Sequence, residues 1–317
     1  MDISKQVEKF KKFLSRLSDN DELKFLGWLK NNIDDLVDKA RDTSGNENEV
    51  ILDCLRDDIR QSLPQNAVSP TENIQTPTIG MNSDCDPATT VHVDAFLYDE
   101  ETVDDLCDEG KMSRNYCQKC GSHDVKPLTF ITHSASVPQI KYIYQYLLPD
   151  LRGKTVVDVG SRTGAVLYGG YIFSYAEKMM GIEIDVSFCE LQQRILDKYK
   201  MTDRVKILHK DVLNCSDVIQ KADIIVLNNV FEFFMPKEVQ ERIWNYLYDT
   251  LKKTGTLIVT VPSIEDSISP LQTKVDLDKW VRKIDTSATL HQANLLLYGD
   301  EHHEDSDLEN IFVYKVL

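Results

Sequence analysis

The stretch Val156-Val157-Asp158-Val159-Gly160-Ser161-Arg162-Thr163-Gly164 constrains the fold of this chain more than any other. An apolar run ends near an acidic residue, a tight glycine turn follows, and an amphipathic stretch comes next. This is the pattern of a buried parallel strand that hands over to a helix whose free N–H groups can face a ligand. Two more acidic residues, Glu183 and Asp211, fall where later strands are expected to end. Together the three predict a nucleoside-bearing ligand lying across the carboxyl edge of a parallel sheet.

The rest of the C-terminal half fits such a sheet. Strand patterns occur at 155–159, 180–184, 205–209, 223–228 and 255–261, with helical patterns at 165–179, 187–199 and 237–252 between them. Regular alternation of this kind predicts a doubly wound parallel sheet with right-handed crossovers. Residues 290–298 and 311–317 read as an antiparallel hairpin around an acidic loop that holds His302 and His303. The expected fold is α/β: a doubly wound, seven-stranded sheet with a C-terminal antiparallel hairpin, preceded by a small helical N-terminal module.

Residues 1–63 form that module. Ile3, Val7, Phe10, Phe13, Leu14 and Leu17 recur at helical spacing, as do Leu23, Leu26, Leu29, Ile33 and Leu36, and then Ile51, Leu52, Leu55, Ile59 and Leu63. Phe25 or Trp28 could dock a protein partner or pack against the neighbouring helix. Residues 64–90 carry Pro64, Pro70, Pro77 and Pro87 among small polar residues and read as a flexible linker. Residues 91–137 are a connector. In it, Cys117 and Cys120 form a CxxC turn able to offer two thiolates to zinc, with Cys107, His92, His123 or His133 available to complete the set. The alternative is a reduced Cys-Gly turn. Residues 138–317 make up the α/β domain.

The formal net charge is −16. An acidic surface repels a nucleic-acid backbone, so a basic protein or a small molecule is the better-matched partner. The seven cysteines have no regular framework and are expected to be reduced. No apolar run reaches the length of a membrane span, and the first residues lack a signal-peptide core. Cytoplasm or nucleus is the expected location.

The ordered motifs resemble the class I S-adenosylmethionine-dependent methyltransferases over about residues 138–317. Asp158, Gly160 and Gly164 match the family's first motif, D-x-G-x-x-x-G. The resemblance implies that this turn passes beneath the methionine part of the cofactor, that Glu183 accepts hydrogen bonds from both ribose hydroxyls, and that Asp211 meets the adenine amino group. The dinucleotide fingerprint G-x-G-x-x-G does not occur. Arg162 departs from the family, which carries a small residue there. Its side chain could clash with the cofactor, turn outward, or pair with the cofactor carboxylate. Gly169 and Gly170 in the following helix cost roughly 1 kcal/mol each against alanine. They imply close packing or a ligand.

The fourth strand ends at Asn228-Asn229-Val230-Phe231-Glu232-Phe233-Phe234. This resembles the Asn-containing motif of amino-group methyltransferases, and also the small-molecule pattern in which a hydrophobic-Glu-His segment follows the strand, aligned here with Phe231-Glu232-Phe233. The resemblance implies that Asn228 and Asn229 orient a nitrogen acceptor, on a protein or a small molecule, and that Asn228 also borders the cofactor. Phe231, Phe233 and Phe234 would wall the acceptor pocket, with His133 reaching it from the connector. Asparagine is also a common turn residue, and phenylalanine a common core residue. The rival expectation is an interaction protein that keeps the fold without the transfer.

Overall fold

The computed structural model describes residues 3–79, 82–83, 85–118, 125–298 and 307–317. It divides into two compact units, Met1–Ile51 and Leu52–Leu317. Among the described residues no helix is long and apolar enough to cross a membrane.

The first unit holds α1 (Ile3–Leu14) and most of α2 (Asp19–Ser62). At the turn between them, Ser18 Oγ accepts the N–H of Asp21 at 3.3 Å and so satisfies a first-turn donor. The Phe25 ring lies 5.4 Å from that of Phe13 and 6.3 Å from that of Phe10, with Trp28 stacked at 6.2 Å. The second and third helical patterns of the sequence are one continuous helix. Only Gly45 and no proline interrupts the polar stretch joining them.

In the second unit, the end of α2 buries Leu52, Leu55 and Ile59. The connector supplies β1 (Thr90–His92), α3 (Glu100–Asp108), β2 (Asn115–Cys117), β3 (Val125–Pro127) and β4 (Thr129–Ile131). β1 pairs with β4 in parallel, and β2 pairs with β3 antiparallel. α4 (Val137–Lys141) starts from a capping box between Ser136 and Gln139 and runs into a π-helical turn, Tyr142–Leu147.

The main sheet consists of β5 (Thr155–Val159), β6 (Lys178–Glu183), β7 (Val205–His209), β8 (Ile224–Asn228), β9 (Leu257–Val261), β10 (Val281–Lys283) and β11 (Phe312–Val316). Their order is β10-β11-β9-β8-β5-β6-β7, parallel from β7 through β9, with β11 antiparallel to both its neighbours. Helices α5 (Ala165–Phe173), α6 (Val186–Lys198), α7 (Ser216–Ile219) and α8 (Lys237–Thr250) carry the crossovers. β5 and β8 are buried along most of their length, as strands covered on both faces require. One face packs Val156, Val226 and Val259 against Leu167, Phe188 and Leu191, and the other packs Val157, Ile225 and Ile258 against Trp244 and Leu247. The strand order reverses between β5 and β8, where open α/β sheets bind their ligands.

Two expectations are revised and one is narrowed. Residues 290–298 are not a strand but part of a helix, Ser287–Tyr298. Its alanine, glutamine and leucine content favours helix, and Leu295-Leu296-Leu297 breaks the two-residue period a half-buried strand needs. The antiparallel partner of β11 is instead the short β10. Residues 64–79, expected to be a flexible linker, lie on the α/β domain through hydrogen bonds and a buried ion pair described below. Gly169 and Gly170 serve packing rather than a ligand. A Cβ on Gly169 would come within 2.0 Å of Ile140 Cγ2, and one on Gly170 within 2.7 Å of the Tyr144 hydroxyl. His302, His303, His123 and Cys120 fall outside the described residues.

Candidate functional site

A cavity of about 520 Å³ opens at the carboxyl ends of β5, β6, β7 and β8. Gly160 forms its floor in the left-handed region, at φ +72°, and a Cβ there would stand 2.1 Å from Val230 Cγ2. Only glycine meets both demands. The N–H groups of Gly160 and Ser161 donate to the Ile182 carbonyl at 2.8 and 3.2 Å, tying the turn to β6.

Glu183 ends β6 and lines the cavity. Its Oε1 accepts the N–H groups of Ile184 and Asp185, each at 2.8 Å, and its Oε2 accepts that of Arg162 at 2.7 Å. With two lone pairs per oxygen, Oε1 is filled and Oε2 keeps one site for a ligand. Burial raises the Glu183 pKa, and the three backbone donors only partly oppose it. Asp211 also lines the cavity while accepting the Leu213 N–H at 2.9 Å as a helix cap. For Asp211, the structural and the ligand-facing roles coexist. Asp158 and Gly164 do not reach the wall. Asp158 is buried beneath the turn, where desolvation and the Glu183 charge push its pKa up to about 8. Gly164 starts α5 at φ +90°, and a Cβ there would press on the Tyr168 ring.

Arg162 takes the outward course. It is a non-glycine residue at φ +44°. Its Nε and Nη2 grip Glu72 Oε1 and Oε2 at 2.7 and 3.1 Å, its Nη1 meets Asp94 Oδ2 at 3.0 Å, and its Nη2 donates to the Ala67 carbonyl at 2.8 Å. The guanidinium carbon lies 5.0 Å from the centre of the Phe188 ring. Desolvation opposes the charge, but the hydrogen bond to Glu72 and the carboxylates of Asp94, Glu72 and Glu183 outweigh it and raise the pKa above its ordinary value. The side chain is fully engaged beside the cavity.

The facing wall holds Asn228, Asn229, His133, Phe231 and Phe234. Asn228 ends β8, and its Nδ2 donates to the His133 carbonyl at 3.5 Å. Asn229 turns the chain at φ +49°, with its N–H on the Val261 carbonyl at 2.8 Å. His133 is buried, with its ring 4.8 Å from Phe233, 4.9 Å from Phe234, and hydrogen-bonded to His92 at 2.9 Å. Burial, with Arg162 and His92 nearby, pushes its pKa down to about 3, so the ring is neutral. Phe233 backs the histidine instead of lining the cavity, and Phe234 takes the wall position. The tyrosines of α5 and the residues just after it stay out of the cleft: Tyr168 is core, Tyr171 lies under Arg204, and Tyr175 is 76% exposed. Cys117 is exposed at the end of β2. Among the described residues no group of three or more His, Cys, Asp or Glu could hold a metal ion.

Residues 177–266 match the family model described as CheR methyltransferase, SAM binding domain. That span carries Glu183, Asp211, Asn228 and Asn229. Over that span the chain is similar to the S-adenosylmethionine-binding domain of the CheR methyltransferases. No curated protein matches it. Solved structures similar to it include an RNA methyltransferase from Salinibacter ruber in complex with S-adenosyl-L-homocysteine, at 17% identity, covering 56% of this chain and 86% of that one, with a TM-score of 0.34. Another is the C-terminal domain of precorrin-6Y C5,15-methyltransferase from Rhodobacter capsulatus, at 15% identity, 57% and 89% coverage, and a TM-score of 0.32. A third is an O-methyltransferase from Bacillus cereus, at 11% identity, 59% and 84% coverage, and a TM-score of 0.37. Nothing about the acceptor is carried across at this level of likeness.

Glu72 and Asp94 are the site residues that sequence reasoning missed. Asp94 is buried and receives the Phe96 and Leu97 N–H groups, the Ser134 hydroxyl and Arg162. An acidic residue inside the apolar run Val-His-Val-Asp-Ala-Phe-Leu was its signal, because a buried charge needs a partner. For Glu183, replacement by alanine is expected to weaken S-adenosylmethionine binding by about 1–3 kcal/mol, the range for losing a charged hydrogen-bonding partner. Calorimetric titration of the folded variant checks this, and unchanged affinity would remove Glu183 from the site.

Proposed function

We propose that this domain transfers the methyl group of S-adenosylmethionine to a nitrogen on a protein or a small molecule. The supporting observation is that one cavity has the Gly160, Glu183 and Asp211 edge on one side and the Asn228-Asn229 turn on the other. The cradle fits the cofactor. Gly160 leaves room where a Cβ would clash, and Glu183 Oε2 offers its open lone pair to a ribose hydroxyl. When bound, the cofactor supplies a methyl group already activated on a sulfonium.

The chain's own part is to hold and orient. Transfer requires an acceptor lone pair about 3 Å from the methyl carbon and in line with the departing sulfur. Asn228 spends its Nδ2 on the His133 carbonyl, which leaves Oδ1 to accept a hydrogen bond from the acceptor amine. This amide orientation follows from the hydrogen-bond assignment. Phe231 and Phe234 supply aromatic walls. The neutral His133 adds no positive charge beside a sulfonium. The net charge of −16 favours a basic acceptor over a nucleic acid. The half-exposed Trp28 offers a contact for a protein partner, and the reading is of a chain working in cytoplasm or nucleus.

The non-catalytic reading drew its force from an Arg162 that blocks the site, and the guanidinium is held aside by Glu72 and Asp94. Titration with S-adenosylmethionine, followed by incubation of lysine-rich peptides and small amines with cofactor labelled on the methyl group, tests the proposal. Binding in the micromolar range and label on an amine are expected. A folded chain that binds no cofactor would defeat it.

A further inference from the structure

Residues 64–79 carry three residues of the cavity wall and are tied to the domain on both sides of them. On the β6 side, Thr71 Oγ1 donates to Asp185 Oδ2 at 2.7 Å and lies 3.0 Å from Ser187 Oγ. On the β8 side, the Gln75 N–H donates to the Phe233 carbonyl at 2.7 Å, and just beyond it Asn82 donates to both oxygens of Glu232. Between these ties, Thr71, Glu72 and Asn73 line the cavity. In the middle is the Arg162–Glu72 fork, whose side chains are 9% and 7% exposed.

We propose that this segment is a wall of the cofactor site, with Asn73 presenting its amide to the nucleoside hydroxyls, and that Arg162 is the positioning residue that sets it. The inference rests on the S-adenosylmethionine reading above. Arg162 acts in two directions from one backbone position. Its N–H donates to Glu183 Oε2, the oxygen with the open lone pair, while its guanidinium holds Glu72, Asp94 and the Ala67 carbonyl. The strap and the Glu183 carboxylate therefore share one anchor. A planar, bidentate fork fixes orientation as well as distance, which a lysine at this position would not. Its desolvated partners make the geometry selective, because a half-formed network leaves a buried charge exposed to no compensation.

The test uses the full chain. Affinity for S-adenosylmethionine is measured by calorimetry in wild type, Arg162→Ala and Glu72→Gln, and hydrogen exchange is followed over residues 66–76. Wild type is expected to bind and to protect the segment further on binding. Both variants are expected to lose tenfold or more in affinity and to exchange faster in that segment without ligand. Thr71→Cys with Ser187→Cys, oxidised to a disulfide, re-fastens the strap in the Glu72→Gln background and should recover most of the affinity. A merely structural role would not respond to that tether. If Arg162→Ala does not fold, Glu72→Gln and its tethered form carry the test alone. Variants that bind as wild type does, or a tether that restores nothing, would overturn the inference. A wild type that binds no cofactor would instead overturn the reading beneath it.

Discussion

Removing residues 1–90 is expected to destabilise the remaining domain by about 3–5 kcal/mol or more, the cost of breaking a buried ion pair by deleting one partner. Removing residues 1–51 should leave its unfolding midpoint nearly unchanged. The difference lies in what residues 52–90 supply. Leu52, Leu55 and Ile59 are buried, and Arg56 and Arg60 both donate to the Leu97 carbonyl. Glu72 is a partner of Arg162, whose other carboxylate, Asp94, is fully buried. Without Glu72 the guanidinium keeps one carboxylate in place of two. Urea denaturation of both truncated chains measures the effect. A 91–317 fragment as stable as the full chain would show that the strap is dispensable and that the boundary lies where composition alone suggests.

Asn228→Ala should reduce methyl transfer by an order of magnitude or more and leave S-adenosylmethionine affinity within about twofold, because the lost contact acts on the reacting geometry. The residue stands at the carboxyl end of β8 and lines the cavity, with its Oδ1 accepting no hydrogen bond among the described residues. Asn228→Asp keeps an acceptor oxygen but gives up the donation to the His133 carbonyl. It should retain more activity than alanine if the oxygen matters most. Initial rates with a saturating amine, alongside calorimetry, separate the two effects. Alanine activity equal to wild type would return Asn228 to an ordinary strand-end role.

The parts of this molecule set by local pattern were legible in the sequence. The run 155–159 and the strand at 224–228 follow from apolar residues buried on a covered sheet. Glu183, Asp211 and Asn228 fall on one cavity because each sits at the carboxyl end of a parallel strand or just beyond it. What was not legible depended on distant partners. The prolines and small polar residues of 64–79 carry the composition of a loop, and composition does not reveal where a loop is fastened. Arg162 and Glu72 stand ninety positions apart, so neither predicts the other from spacing. The 287–298 helix was misread because Leu290, Leu295, Leu296 and Leu297 fit an apolar run of either kind. His92 and His133 were noted as metal ligands or substrate contacts, yet they meet each other, as β1 and β4 pair in parallel.

The strap also bears on the order of events in a catalytic cycle. If the cofactor sits between Gly160 and residues 71–73, as proposed, the Arg162–Glu72 fork borders its seat and would have to open for it to leave on that side. On the proposed reading, acceptors would meet the Asn228 and Phe234 wall, away from the fork. Loading would then be sequential, cofactor before acceptor, with the spent cofactor the last to depart. The pace of repeated turnover would then follow the opening of a peptide segment rather than the displacement at carbon.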